Sequence, residues 1–71
     1  MILKKTSIEL VEVKSLMKKQ LIMVLTDGKE YKGQITDYGS IWLLFQEQNS
    51  NIPRLIPFSR ITEFKIITVV N

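Results

Sequence analysis

Cysteine and histidine are both absent from this chain. The first absence excludes disulfides, and the two together remove the usual ligands of a structural zinc site. No apolar run reaches the ~18–20 residues needed to cross a bilayer. There is no glycine-rich loop to cradle a phosphate, and neither a cysteine nucleophile nor a histidine base, so catalysis is not expected. Asp27, Asp37, Glu47 and Glu63 remain as carboxylates, but each falls in a turn or at a strand end, where a solvated acid is the ordinary outcome. No metal, cofactor or small-molecule substrate is expected. Behind Lys4 and Lys5 there is neither a long apolar stretch nor a small-residue cleavage site, so the expectation is a soluble, cytoplasmic protein without a membrane partner.

What is present fits one domain over residues 1–71. A chain this short buries a smaller share of its surface than a domain of ordinary size. With disulfides and zinc excluded, oligomerisation is the remaining common support, and a homo-oligomer is expected. The hydrophobic fraction of 45% argues against disorder. Ten basic against seven acidic side chains give a net charge of +3, which tolerates a polyanion without requiring one.

The pattern along the chain predicts a helix over about residues 7–19 and strands over about 21–70. Thr6 and Glu9 have the spacing of a capping box, Leu10, Val13 and Met17 share a helical face, and Lys14, Lys18 and Lys19 come late, as the helix dipole prefers. The β-branched content of residues 8–13 keeps a strand there as a competitor. Leu21 to Leu25 is a short apolar run, Asp27-Gly28 is a turn signal, and alternation resumes from Tyr31 to Ile35, which together read as a hairpin. A bend at Tyr38-Gly39-Ser40 leads to five consecutive apolar residues, Ile41 to Phe45. Such a run calls for cover on both faces, from a two-layer interior or from a neighbouring subunit. A polar loop over residues 46–51 precedes two strands separated by a turn at Ser59-Arg60. Pro53 and Pro57 place the first of these at a sheet edge or make it irregular, and the last is expected over Ile61 to Val70.

A helix, then five short strands, with DGKEYKGQI (Asp27 to Ile35) joining the first two, resembles the Sm/LSm/Hfq family over about residues 7–66. Gly28 stands at the family's Asn/Asp-Gly turn, and Gly33 stands where a glycine lets the second strand curve. Ile61-Thr62-Glu63-Phe64, after the tight turn, is similar to the family's short motif near the end. The resemblance implies a mostly β, SH3-like barrel of five strongly bent strands behind an N-terminal α-helix. It also implies a homo-oligomeric ring of roughly six or seven copies, in which the fourth strand of one subunit pairs with the fifth of the next. The implied function is RNA binding of the chaperone or scaffold type. The family's base-reading positions fall here on Gly39, Ile41 and Leu43, and its Arg-Gly pair or Tyr-Lys-His run falls on Pro57, Phe58 and Ser59. None of the usual uridine-reading side chains is retained, so an altered base preference is expected.

On that basis the candidate RNA contacts on the pore side are Ser40, Ile41, Phe58, Ser59 and Arg60. The hydroxyls would bond base edges, the apolar groups would stack, and the guanidinium would stack on a base or meet phosphate. Ile41 and Phe58 have a competing reading as core. On the opposite face the candidates are Lys29, Tyr31 and Lys32, whose competing and favoured reading is ordinary hairpin chemistry. Lys4, Lys5, Lys14, Lys18 and Lys19 make the first third of the chain its most basic part, a patch that a ring would repeat. Trp42 is expected in the core or at a subunit interface. Two rival readings stand beside RNA binding: an Sm- or SH3-like barrel acting as a protein-interaction or assembly module, and a small DNA-binding barrel.

Overall fold

The protein, a computed structural model, is described over residues 8–67. Helix α1 (Leu10–Ser15) is followed by strands β1 (Leu21–Leu25), β2 (Glu30–Tyr38), β3 (Trp42–Glu47), β4 (Arg54–Pro57) and β5 (Ile61–Ile66). A 3-10 turn over Phe58–Arg60 links the last two. The five strands make one antiparallel sheet in the order β4-β3-β2-β1-β5, so β4 and β5 are its two open edges. The mostly β class and the succession of one short helix and five strands agree with the sequence reading.

The helix is much shorter than the predicted 7–19. Glu9 is its N-cap rather than a residue of its first turn, and the Glu9 carbonyl accepts the N–H groups of Glu12 and Val13 at 3.1 Å. Thr6, the predicted capping partner, lies outside the described residues. The far end closes at Leu16, whose N–H donates to the Val13 carbonyl. Lys18 adopts a left-handed conformation, φ 64°, and donates its N–H to the Ile35 carbonyl of β2 at 3.2 Å. A lysine accepts that backbone at some cost, and the bond holds the chain just beyond the Leu16 C-cap against β2. Val13 and Leu16 are buried against the sheet, and Leu10 and Met17 pack at the margin of the same cluster.

The β1–β2 hairpin forms as predicted, with a three-residue loop. Gly28 donates to the Leu25 carbonyl, Leu25 donates to the Lys29 carbonyl, and Gly28 takes φ 88°. A type I turn followed by a left-handed residue is a common route through such a loop, and glycine enters that region without a Cβ penalty. The Asp27 carboxylate accepts the Lys29 N–H at 3.0 Å and stiffens the turn.

Two irregularities bend the sheet. β2 carries a register shift between Ile35 and Asp37, and the β1–β5 ladder shifts between Val24 and Leu25. A bulge adds local twist, and here it also keeps apolar side chains on one face: Ile35 lies opposite Phe45, and Tyr38 opposite Leu43. Gly33 permits close approach of the next strand, because a Cβ there would run into the Gln46 carbonyl of β3.

Ile8, Val13, Leu16, Leu21, Met23, Leu25, Ile35, Leu43, Phe45, Phe58 and Ile61 form a single core on the helix side of the sheet. Alternation on β1 and β3 supplies most of it, as the period of two requires. Within this subunit the apolar run from Ile41 to Phe45 is covered on one face only. Leu43 and Phe45 are buried, Trp42 and Leu44 are half-buried on the outer face, and Ile41 is 69% exposed. The final strand ends at Ile66, and the predicted continuation to Val70 lies outside the described residues beyond 67. Among the described residues no helix is long and apolar enough to cross a membrane.

Candidate functional site

Two tight turns meet where β3 begins and β4 ends. The β2–β3 connection carries Ser40 and Ile41, and the 3-10 turn carries Phe58, Ser59 and Arg60. Phe58 donates its N–H to the Ile41 carbonyl at 2.8 Å, and the Arg60 carbonyl accepts the Thr26 N–H at 2.9 Å. The first bond sets Phe58 beside Ile41 at the start of β3, and the second ties Arg60 to the β1–β2 turn. Exposure divides the five pore-side candidates. Ser40, Ile41, Ser59 and Arg60 are exposed, whereas Phe58 is 7% exposed and belongs to the core. The two turns therefore expose two hydroxyls, one guanidinium and one aliphatic side chain, and the Phe58 ring packs inside.

Gly39, at a base-reading position of the Sm/Hfq-like pattern, has an occupant above it. A Cβ there would overlap the Trp42 indole, and the Gly39 N–H donates to the Trp42 carbonyl at 2.8 Å. A carboxylate side chain at residue 39 would displace the indole. Leu43, at another such position, is fully buried. Thus two of the three positions that the resemblance would give to base reading are committed to internal packing, while Ile41 is exposed.

The second predicted group does not stay together. Tyr31 shares the face of Gly33 and Ile35, Lys32 projects from the other face opposite Ile22, and Lys29 sits at the end of the turn. Period-two alternation forbids neighbouring strand residues from sharing a face. The cation beside Tyr31 is instead Arg54 of β4, its guanidinium carbon 4.9 Å from the ring centroid. Arg54 Nε also donates to Glu47 Oε1 at 3.2 Å. No local signal in the sequence pointed to Arg54, because its meeting with Tyr31 depends on the pairing of β2, β3 and β4.

Lys14, Lys18 and Lys19 are exposed around the end of α1, and Lys4 and Lys5 lie outside the described residues. Lys65 is held by Glu30 across the outer face at 3.4 Å. The carboxylates have separate local duties: Asp27 in its turn, Asp37 accepting the Tyr38 N–H at 2.8 Å, Glu47 on Arg54. Among the described residues no group of acidic side chains gathers as a metal site, and no buried side-chain polar atom lacks a partner. Compared with family models, with curated proteins and with solved structures, the chain matches none.

Proposed function

We propose that this chain is an Sm/Hfq-like subunit that assembles into a homo-oligomeric ring of roughly six or seven copies and binds single-stranded RNA without catalysing a reaction. The observation that carries this reading is the strand order β4-β3-β2-β1-β5, in which the fourth and fifth strands are both open edges. Pairing β4 of one copy with β5 of the next satisfies both edges at once and closes the bent sheet into a barrel-like ring. The exposure of Leu55 on β4 and of Ile66 on β5, 61% and 57%, supports such a seam.

The RNA would meet the end of the sheet that presents Ser40, Ile41, Ser59 and Arg60. One cation and two hydroxyls per subunit, repeated around a ring, give a salt-sensitive contact to phosphate and bonds to base edges. Stacking would fall to Ile41, since Phe58 is buried, and this supports an altered base preference. In this reading the protein is a cytoplasmic RNA chaperone or scaffold.

A second reading rests on the packing of Gly39, Leu43 and Phe58. With those positions filled by core contacts, the same ring would serve as an assembly or protein-interaction module that ignores RNA. Light scattering on the purified protein, followed by titration with labelled oligo-U, oligo-A and single-stranded DNA at two salt concentrations, separates the two. Base-selective RNA capture that Arg60→Ala weakens several-fold supports the first; a ring indifferent to all three supports the second. A chain that stays monomeric at micromolar concentration would overturn both.

A further inference from the structure

The core lies on the helix side of the sheet, so among the described residues the opposite face has no second layer. On β3, Leu43 and Phe45 take the inner face, and Trp42 and Leu44 the outer one. Directly opposed residues share a face. Gly39, Trp42 and Pro57 therefore form one outward row across three strands, and Asp37, Leu44 and Leu55 form the next. Trp42 is half-buried and is not among the side chains packed against the core.

Gly39 decides how the indole lies. Nε1, Cε2 and Cζ2 fill the space that a Cβ at residue 39 would need, with Cζ2 2.7 Å from that point. One edge of the ring thus rests on backbone, and no element lies above it. The indole N–H has no acceptor among the described residues, and no buried side-chain nitrogen or oxygen goes unpartnered, so this N–H reaches solvent. A half-exposed aromatic held on a strand is the kind of surface on which single-strand binders stack bases.

Asp37 stands on the same face, two residues before Gly39, a separation of about 6–7 Å in extended chain. Its exposed carboxylate accepts the Tyr38 N–H at 2.8 Å and pairs with no cation. An ionised carboxylate is acceptor-only, with two oxygens and several lone pairs between them. Guanine is the RNA base that presents two adjacent donors, N1–H and the N2 amino group, on its Watson–Crick edge. Uracil flanks its single N3–H with two carbonyls, which a carboxylate repels.

We propose that the Trp42 indole stacks a base of single-stranded RNA and that Asp37 selects guanine there by accepting its N1–H and N2–H. This rests on the RNA-binding reading, adds a second stacking surface to Ile41, and gives the altered base preference a cause. The net charge of +3 keeps a polyanion attracted to the chain around this one carboxylate.

Trp42 is the chain's single tryptophan, so its emission reports stacking directly. The full chain is titrated with short labelled oligo-U strands carrying one central guanosine, inosine or uridine, and both indole emission and strand anisotropy are followed. The guanosine strand is expected to quench the indole and to bind about tenfold more tightly than all-U, with inosine, which lacks the N2 amino group, in between. Asp37→Asn keeps an acceptor for the Tyr38 N–H and is expected to erase the guanosine advantage. Trp42→Leu is expected to weaken binding about tenfold, and Trp42→Phe to recover part of the loss, each variant first shown to melt cooperatively. RNA capture that leaves emission unchanged and ignores both substitutions would overturn this site while leaving the RNA-binding reading intact. An indole already closed to acrylamide quenching in the assembled protein would overturn it as well, because a second copy or another protein then covers this face. Capture of none of the strands would sink the RNA-binding reading and this site with it.

Discussion

Gly33→Ala is the substitution that probes the sheet most directly. Gly33 is paired on both sides, with Leu21 of β1 and Glu47 of β3. A Cβ there would collide with the Gln46 carbonyl oxygen and lie 2.9 Å from the carbonyl carbon and 3.0 Å from the Glu47 Cα. All three atoms are backbone, so no rotamer change relieves the overlap, and β3 must move away from β2. Alanine would ordinarily gain about 0.5–1 kcal/mol over glycine inside a strand. Overpacking typically costs about 1–3 kcal/mol, and a rigid backbone obstacle belongs at or above the upper end. The net expectation is a loss of about 2 kcal/mol, or a fall of about 8–16 °C in Tm for a domain of this size. Gly28→Ala is the control: it has open space around it but φ 88°, and should cost about 1–2 kcal/mol from the left-handed conformation alone. Thermal unfolding followed by circular dichroism measures both. A Gly33→Ala protein that melts at or above the wild type would refute the close-approach argument.

Phe45→Ala removes a fully buried ring at a cost of about 3–5 kcal/mol, and a domain this small should then show no cooperative melt; retention of a sharp transition within a few degrees of wild type would contradict the assigned core. Gly39→Val should displace the Trp42 indole and shift the emission of the chain's single tryptophan to the red; unchanged emission would mean that the indole does not rest on residue 39. Arg54→Ala breaks the half-exposed contact to Glu47 and the approach to Tyr31, with an expected loss of about 1 kcal/mol or less. That loss should shrink in high salt, and a salt-independent loss would point to packing by the Arg54 stem instead.

The sequence by itself determined what local chemistry can encode. Asp27-Gly28 specified a hairpin because few residues tolerate the left-handed position that its loop requires. The apolar run from Leu21 to Leu25 marked β1 as a strand but not which of its faces is buried, since all five residues are apolar, and Pro53 and Pro57 pointed to an edge or irregular strand, which β4 at the sheet edge bears out. Helix length was not legible, since the chain leaving the helix is held by a hydrogen bond from Lys18 to Ile35, seventeen residues downstream. Tertiary structure alone decided which predicted contacts belong together. It buried Phe58 while leaving Ile41 exposed, laid Trp42 over Gly39, and put Arg54 rather than Lys32 beside Tyr31. Each outcome depends on strand register and on bulges such as the one between Ile35 and Asp37. A shift of one residue moves every side chain to the other face, and the energy that selects the register comes from partners distant in the chain.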